Sequence, residues 1–276
     1  MSEENPFFTE STLPYQLPPF DKIEEAHFLP AYERGMVEHL SEIDEIATDS
    51  SAPTVENTLV PLERSGVLLN RVASTFFNLA TADTNEALDE IRSEIAPKLA
   101  AHSDQILLND ALFARVRTLH EQREEMSPGT EVRRLIEQHY IDFVRAGAML
   151  SDTDKTRMQE INAELATRQA AFGQNVLAEG NASAVVVDSR EELSGLADGA
   201  VAAAADAATA RDLDGKYLVS LLNTSGQPVL SSLENRALRE RVMVDSLARG
   251  RQGGEYDNRE IITSIARLRA ERAAML

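Results

Sequence analysis

Five histidines are the side chains of this 276-residue sequence best suited to metal or acid–base chemistry: His27, His39, His102, His120 and His139. A zinc hydrolase helix places two histidines four residues apart, with a glutamate directly after the first. No pair here has that spacing, and the nearest approach is His120-Glu121-Gln122-Arg123-Glu124. There, Glu124 takes the second ligand position and the cationic Arg123 lies between. The sequence therefore predicts no metal ligand.

The surroundings of the histidines favour structural roles. His139 lies on an apolar stretch of a predicted helix, so we expect it to be partly buried rather than to bind a metal. His102 and Asp104 could form an acid–base pair. Residues two apart on a helix point in different directions, however, so a pair of surface side chains is the favoured interpretation. His27 and His39 give no sharper signal.

Other catalytic arrangements are also missing from the sequence. Adjacent acids such as Glu124-Glu125 and Glu191-Glu192 could serve glycoside chemistry, but adjacency means little among 46 acidic residues. There is no G-x-S-x-G elbow, no P-loop and no dinucleotide-binding glycine motif. The basic region from Arg236 to Arg251 could hold a peptide carboxylate, yet a solvated face paired with Glu234 and Glu240 is favoured. We predict no catalytic residue, and substrate-binding residues stay unassigned.

Charge and composition narrow the possible partners. The sequence has 27 Lys and Arg against 46 Asp and Glu, a formal charge of −19, which would repel nucleic-acid backbones and anionic membranes. It has no cysteine, so disulfides and thiolate chemistry are excluded. The first residues do not resemble a signal peptide, and no apolar stretch of about 18 residues occurs. We therefore expect a cytoplasmic protein without nucleic-acid or membrane partners.

Hydrophobic periodicity predicts a mainly α fold. Residues 1–22 are rich in proline and aromatic residues, which predicts an extended arm over a surface. In residues 23–180 apolar side chains recur at three- and four-residue steps, which predicts a bundle-like helical domain. Its predicted helices run from His27 to Ile46, Thr54 to Ala82, Ala87 to His102, Asp110 to Met126, Glu131 to Leu150, and from an N-cap within Ser151–Asp154 past Phe172.

Residues 181–230 have the pattern of a small α/β segment. Ala184–Val187 and Lys216–Leu222 are predicted to be two paired strands, and an alanine-rich helix from Ala200 to Arg211 lies between them. Asn223–Gly226 is predicted to form the turn that closes the second strand.

Residues 231–276 are predicted to be helical. Ser231–Glu234 has the spacing of a capping box, which would open a helix through Leu247. Asn258 is predicted to cap a last helix, and that helix lacks any terminal stop signal. We therefore expect these helices to lead into further chain.

Several segments resemble a known family, the zinc oligopeptidases related to thimet oligopeptidase, and most closely their peptidyl-dipeptidase (dipeptidyl carboxypeptidase) branch. These segments are framework pieces whose order along the whole chain carries the resemblance. They are Asn5-Pro6-Phe7, Ser11–Tyr15, Glu56-Asn57-Thr58, Leu62–Gly66, Ala146–Leu150, Gly215–Leu218, Leu221–Thr224 with Gln227-Pro228, Asn235–Glu240 and Leu268–Ala273.

The resemblance implies a helical fold whose two halves enclose a deep, narrow channel that admits only short peptides. It also implies a catalytic zinc, held by H-E-x-x-H and a downstream glutamate in a carboxy-terminal half. None of those ligands can be placed on this sequence. The resemblance thus predicts an inactive amino-terminal wall of the channel, whose missing catalytic domain would release carboxy-terminal dipeptides. The alternative is a stand-alone helical interaction module without enzymatic activity.

Overall fold

The computed structural model describes residues 5–126, 129–221 and 227–276. Within them the predicted mainly α architecture with a small two-stranded sheet is confirmed. The helices are α1 Phe28–Thr48, α2 Val60–Arg64, α3 Val67–Ala82, α4 Glu86–Leu107, α5 Asp110–Glu121, α6 Arg123–Met126, α7 Thr130–Ala146, α8 Asp152–Ala182, α9 Asp198–Thr209, α10 Arg236–Leu247 and α11 Arg259–Met275. The strands are β1 Ala184–Val187 and β2 Tyr217–Ser220.

The first residues form short 3-10 turns at Pro6–Phe8, Pro14–Gln16 and Phe20–Lys22. Two of these turns begin at a proline, whose fixed φ suits a first helical position. The predicted extended arm thus contains turns, although no α-helix forms in residues 5–22. Phe7 anchors it, because that ring is 2% exposed.

An aromatic cluster joins the arm to α1 and α3. The Phe28 ring lies 5.3 Å from Phe7 and 5.1 Å from Phe76, centroid to centroid. Burying such rings, with added edge-to-face contacts, is a large stabilising contribution. Gly35 lets the two helices approach closely, because a Cβ built there would lie 2.9 Å from the Leu69 backbone. The core of this region therefore depends on large rings beside one small residue.

The single helix predicted from Thr54 to Ala82 is wrong, because the chain breaks at Ser65 and Gly66. A π-helical turn, Val55–Leu59, leads into α2, and α3 begins only at residue 67. Gly66 has φ +71°, a left-handed conformation that costs glycine little and other residues more. Its N–H donates to Glu42 Oε2 at 2.7 Å, so the break is held by α1.

The predicted pairing of two strands is confirmed. β1 and β2 are antiparallel, with Val185 opposite Val219 and Val186 opposite Leu218. One face is buried against α9, where Val201 is 5% exposed. The turn predicted at residues 223–226 lies outside the described residues.

The predicted capping box at Ser231–Glu234 is wrong. Ser231 ends a 3-10 turn, and α10 begins at Arg236 with Asn235 as its N-cap. The Asn235 side chain accepts a hydrogen bond from the Leu238 N–H at 3.1 Å, which satisfies a free donor of the first turn.

The chain divides into two compact units. One comprises residues up to Ala170 together with Ala266–Leu276, and the other comprises Ala171–Ile265. The domain boundaries predicted after residues 22, 180 and 230 stay predictions.

Candidate functional site

Two of the five histidines, His39 and His102, are brought together by the fold. His39 on α1 and His102 on α4 face each other, with His39 Nδ1 2.9 Å from His102 Nε2. The other nitrogen of His39, Nε2, lies 3.1 Å from Ser65 Oγ in the break before α3. Three separate segments of the first unit therefore meet at one polar cluster.

The hydrogen bonds of this cluster fix the tautomers of both rings. Ser65 Oγ donates to the Leu62 carbonyl oxygen at 2.7 Å, so it accepts from His39 Nε2–H. His39 Nδ1 is then an acceptor, and His102 Nε2–H must donate to it. His102 Nδ1 carries the remaining lone pair and is buried without a hydrogen-bond partner among the described residues.

Burial keeps these two rings neutral near pH 7. Burial, together with the neighbouring His39, lowers the pKa of His102 from its ordinary value of 6.5 to about 4. Burial also lowers the pKa of His39, although the Glu42 carboxylate opposes that shift. Three of the four ring nitrogens bind the other ring or Ser65, and the fourth, His102 Nδ1, is buried away from solvent. The cluster therefore links helices and does not present a general base.

The predicted surface pair of His102 and Asp104 is wrong, because both are buried. They are 6% and 7% exposed. They do point in different directions, as their spacing on the helix requires: Asp104 Oδ1 accepts a hydrogen bond from Asn162 Nδ2 at 2.7 Å, on α8. Burial raises the pKa of the Asp104 carboxyl.

The remaining histidines each contact a residue that is not a histidine. The predicted partial burial of His139 is confirmed, and its Nε2 lies 2.7 Å from Glu63 Oε1. The His120 ring stacks on Tyr140 with the centroids 3.9 Å apart. His27 Nδ1 accepts from the Glu24 N–H at 3.0 Å at the start of a 3-10 turn. None of these contacts joins a second histidine.

The basic region near α10 does not pair with the predicted carboxylates. Arg239 donates to the main-chain oxygens of Leu233 and Glu234 at 2.6 and 2.8 Å. Arg241 donates to the Val186 oxygen at 2.9 Å, on β1. The prediction of ion pairs with the side chains of Glu234 and Glu240 is therefore wrong, since these arginines satisfy carbonyl groups instead.

A buried arginine that the sequence interpretation missed lies on α5. Arg115 is 6% exposed, and its guanidinium donates to the segment between α1 and α2. Its acceptors are the Asp49 and Ser51 carbonyl oxygens at 2.6 and 3.0 Å, Asn57 Oδ1 at 2.9 Å, Thr58 Oγ1 at 3.1 Å and Asp49 Oδ2 at 3.3 Å. A buried charge needs this degree of pairing, so Arg115 fixes the segment in place.

Several segments that carry the family resemblance have such structural roles. Asn5 Nδ2 donates to the His27 oxygen at 2.7 Å, which ties the arm to the start of α1. Gly147 has φ +109° and ends α7 in the left-handed conformation typical of helix ends. Asn57 and Thr58 bind Arg115, as described above.

Neither a metal-binding group nor a membrane-spanning helix occurs among the described residues. Within residues 5–126, 129–221 and 227–276, no three His, Asp or Glu side chains converge as metal ligands would. In the same residues no helix has the length and apolar character needed to span a bilayer. The side chains of this part of the chain thus do not fit a catalytic zinc.

Comparison with known proteins shows similarity to peptidases along the whole chain. The sequence is 38% identical over 276 residues to dipeptidyl carboxypeptidase of Escherichia coli, an alignment that covers all of this chain and 40% of that protein. It is 38% identical over 272 residues to the Salmonella typhimurium dipeptidyl carboxypeptidase, covering 99% of this chain and 40% of that protein.

More distant similarity extends to a second group of peptidases. Oligopeptidase A of Escherichia coli is 28% identical over 276 residues, covering 99% of this chain and 40% of its own length. No family model matches the chain. The chain thus spans about two fifths of the length of the curated relatives that it matches, and the resemblance inferred from the framework segments is confirmed.

Proposed function

We propose that this chain is the non-catalytic, amino-terminal part of a cytoplasmic zinc metallopeptidase that releases carboxy-terminal dipeptides from short peptides. The observation that carries the proposal is the 38% identity to a dipeptidyl carboxypeptidase over all 276 residues. The chain would form one wall of the substrate channel and limit which peptides reach the metal.

The chain's own residues support an inactive role. Its sequence contains no H-E-x-x-H, and the paired histidines use their facing nitrogens on each other. A hydrolytic zinc needs three protein ligands and an open position for water. The zinc ligands and the general base would therefore lie in the remaining three fifths of the protein.

The test compares this chain with the product of a longer reading frame. Zinc content and cleavage of an amino-blocked tetrapeptide would be measured for both proteins, together with the longer protein in which the glutamate of its H-E-x-x-H is replaced by glutamine. We expect stoichiometric zinc and dipeptide release only in the unmodified longer protein. Equal activity in the 276-residue chain would refute its non-catalytic role, and inactivity of both would refute the peptidase.

A stand-alone interaction module is the second candidate, and one observation favours it. Met243, Val244 and Leu247 on α10 are 47, 55 and 60% exposed, a local apolar group of the kind found at protein contacts. If the longer reading frame encodes no peptidase, charged substitutions at Val244 and Leu247 should abolish capture of a partner while leaving the helical content unchanged.

A further inference from the structure

A cleft of about 300 Å³ lies among α4, α8 and the last turns of α11, and all residues that line it belong to the first unit. Its polar lining consists of Ser103, Asp104, Asn162, Gln169, Arg269 and Arg272, and the remainder is alanine and leucine. This volume is at the lower limit for small-molecule sites, so a ligand would have to be small. Both negative and positive side chains are present in the lining.

The negative part of the cleft contains buried acceptors without partners. Asp104 is 7% exposed and uses Oδ1 to accept from Asn162. Asp104 Oδ2 and Asn162 Oδ1 are buried and have no hydrogen-bond partner in the described chain. Leaving such acceptors unpaired costs about 1 to 3 kcal/mol each, so a donor that reached them would be bound favourably.

The positive part of the cleft has no hydrogen-bond or ion-pair partner among the described residues, although the Arg272 charge acts on Asp104 and opposes the rise in the pKa of that carboxyl. Arg269 and Arg272 line it from α11, and neither forms a hydrogen bond or an ion pair shorter than 4 Å with any residue that the structure describes. Their neighbour Glu271 is used elsewhere, since it binds Arg157 Nε at 2.7 Å. In a chain with 46 acidic and 27 basic residues, two neighbouring guanidinium groups that form neither a hydrogen bond nor an ion pair with the described residues could hold an anionic group of a ligand.

We propose that this cleft binds a short zwitterionic peptide, with a free dipeptide as its natural size. Arg269 and Arg272 would hold the α-carboxylate, and the Asp104 and Asn162 oxygens would accept from the α-ammonium group. An anion alone would leave the buried acceptors unpaired, and a cation alone would be repelled by two guanidinium groups. Only a ligand with both a negative and a positive group can bind the two arginines and also donate to the Asp104 and Asn162 oxygens.

The choice of a dipeptide rests on the proposed function, because a peptidyl-dipeptidase releases dipeptides and a site for them could retain or sense product. The charge argument itself does not depend on that activity. The two arginines belong to the last of the segments that carry the family resemblance, Leu268–Ala273.

The test is calorimetric titration of the 276-residue chain and of the longer protein with alanylalanine, N-acetyl-alanylalanine and alanylalanine amide. We expect saturable binding of the free dipeptide to both proteins, weakened about ten- to a hundredfold by blocking either end. Asp104→Asn and Arg272→Gln should weaken binding of the free dipeptide by a similar factor. Arg267→Gln is the matched control, since Arg267 is an exposed arginine of the same helix outside the cleft.

Circular dichroism would first establish that each variant retains the parental helical content. The blocked peptides test the recognition of both charged ends without any substitution in the protein. Absence of saturable binding, equal binding of free and blocked dipeptides, or binding to the short chain alone would each overturn the proposal. The last result would mean that the rest of the protein covers the cleft. Peptidase activity without dipeptide binding would refute only the proposed dipeptide site. Dipeptide binding without peptidase activity would refute the proposed function but not the dipeptide site.

Discussion

Replacing His102 by glutamine should remove much of the acid sensitivity of this chain. Glutamine Nε2 can occupy the position of the histidine Nε2 and still donate to His39, so the link between α1 and α4 is retained. What is lost is the group that titrates. His102 is suited to this experiment because it is 6% exposed and has no other partner among the described residues.

The sign and size of the effect follow from linkage. Burial lowers the pKa of His102 from 6.5 to about 4, so between these values the unfolded chain binds more protons than the folded one. The stability contributed by the neutral ring is fully present above about pH 6.5 and is lost as the pH falls toward 4. The loss from this one group should be about 2 kcal/mol at pH 5 relative to pH 8.

Urea unfolding followed by far-UV circular dichroism at pH 8, 7, 6 and 5 would give the free energy of unfolding of both proteins. Between pH 8 and pH 5 the free energy of unfolding of the parental chain should fall by about 2 kcal/mol more than that of H102Q. Buried Asp104 has a raised pKa and acts in the opposite direction, but it is present in both proteins and cancels.

His27→Gln is the control, because it removes a histidine that lies outside the His39–His102 cluster. Parallel curves for the parent and H102Q between pH 8 and pH 5 would refute the assignment of a neutral, buried His102. A histidine titration by NMR in which the His102 ring protonates near pH 6.5 would refute it directly.

Two further predictions concern the framework. Arg115→Met should lower the free energy of unfolding by about 3 kcal/mol or more, since it strands buried acceptors, whereas Arg117→Met, which removes an exposed pair on the same helix, should cost under about 0.5 kcal/mol. Comparable losses in urea unfolding would contradict this. Gly66→Ala should cost about 2 kcal/mol, because φ is +71° and the new Cβ would lie 2.9 Å from the His39 ring. Gly173→Ala in α8 has open space and should instead stabilise by about 0.5 to 1 kcal/mol, so a rise in melting temperature for G66A or a fall for G173A would count against the reasoning.

Much of the fold follows from the sequence because periodicity and turn residues act locally. The two strands and most helices lie where alternation and three- or four-residue spacing place them. The break at Gly66 was missed because it depends on a distant carboxylate, Glu42, which accepts from its N–H. The false capping box at Ser231–Glu234 shows the same limit, since the N-cap is Asn235, four residues after the predicted N-cap Ser231.

The polar clusters were harder to predict, although the sequence held a usable signal. His39 continues the buried stripe of Tyr32, Ile43 and Ile46 on α1. His102 does the same on α4, seven residues after the fully buried Ile95. A polar residue on an apolar stripe must find a buried partner, so this position alone suggests that it is paired across helices. Which residue it meets depends on packing, which periodicity does not specify.

Arg115 makes the same point on α5, where it lies between Leu112, Val116 and Leu119, all of them fully buried. A charge in that position has to be satisfied, and the acceptors come from more than fifty residues earlier in the chain. Asn57 and Thr58, which belong to a segment of the family resemblance, both accept from Arg115, and Asn57 Oδ1 also accepts from the Thr54 N–H at 2.7 Å. These structural contacts account for both residues, and no catalytic role is needed to explain them.

The segment Leu268–Ala273 differs from the other framework segments in this respect. Leu268 is 2% exposed and Glu271 binds Arg157, so these two residues have structural reasons for their types. Arg269 and Arg272 form no hydrogen bond or ion pair within the described chain, although the Arg272 charge acts on Asp104, and both line the cleft beside that buried carboxylate. Where folding accounts for every other feature of a segment, residues that it leaves unexplained are the ones to test for binding. That is why the dipeptide titration is directed at this cleft and not at the better-satisfied histidine cluster.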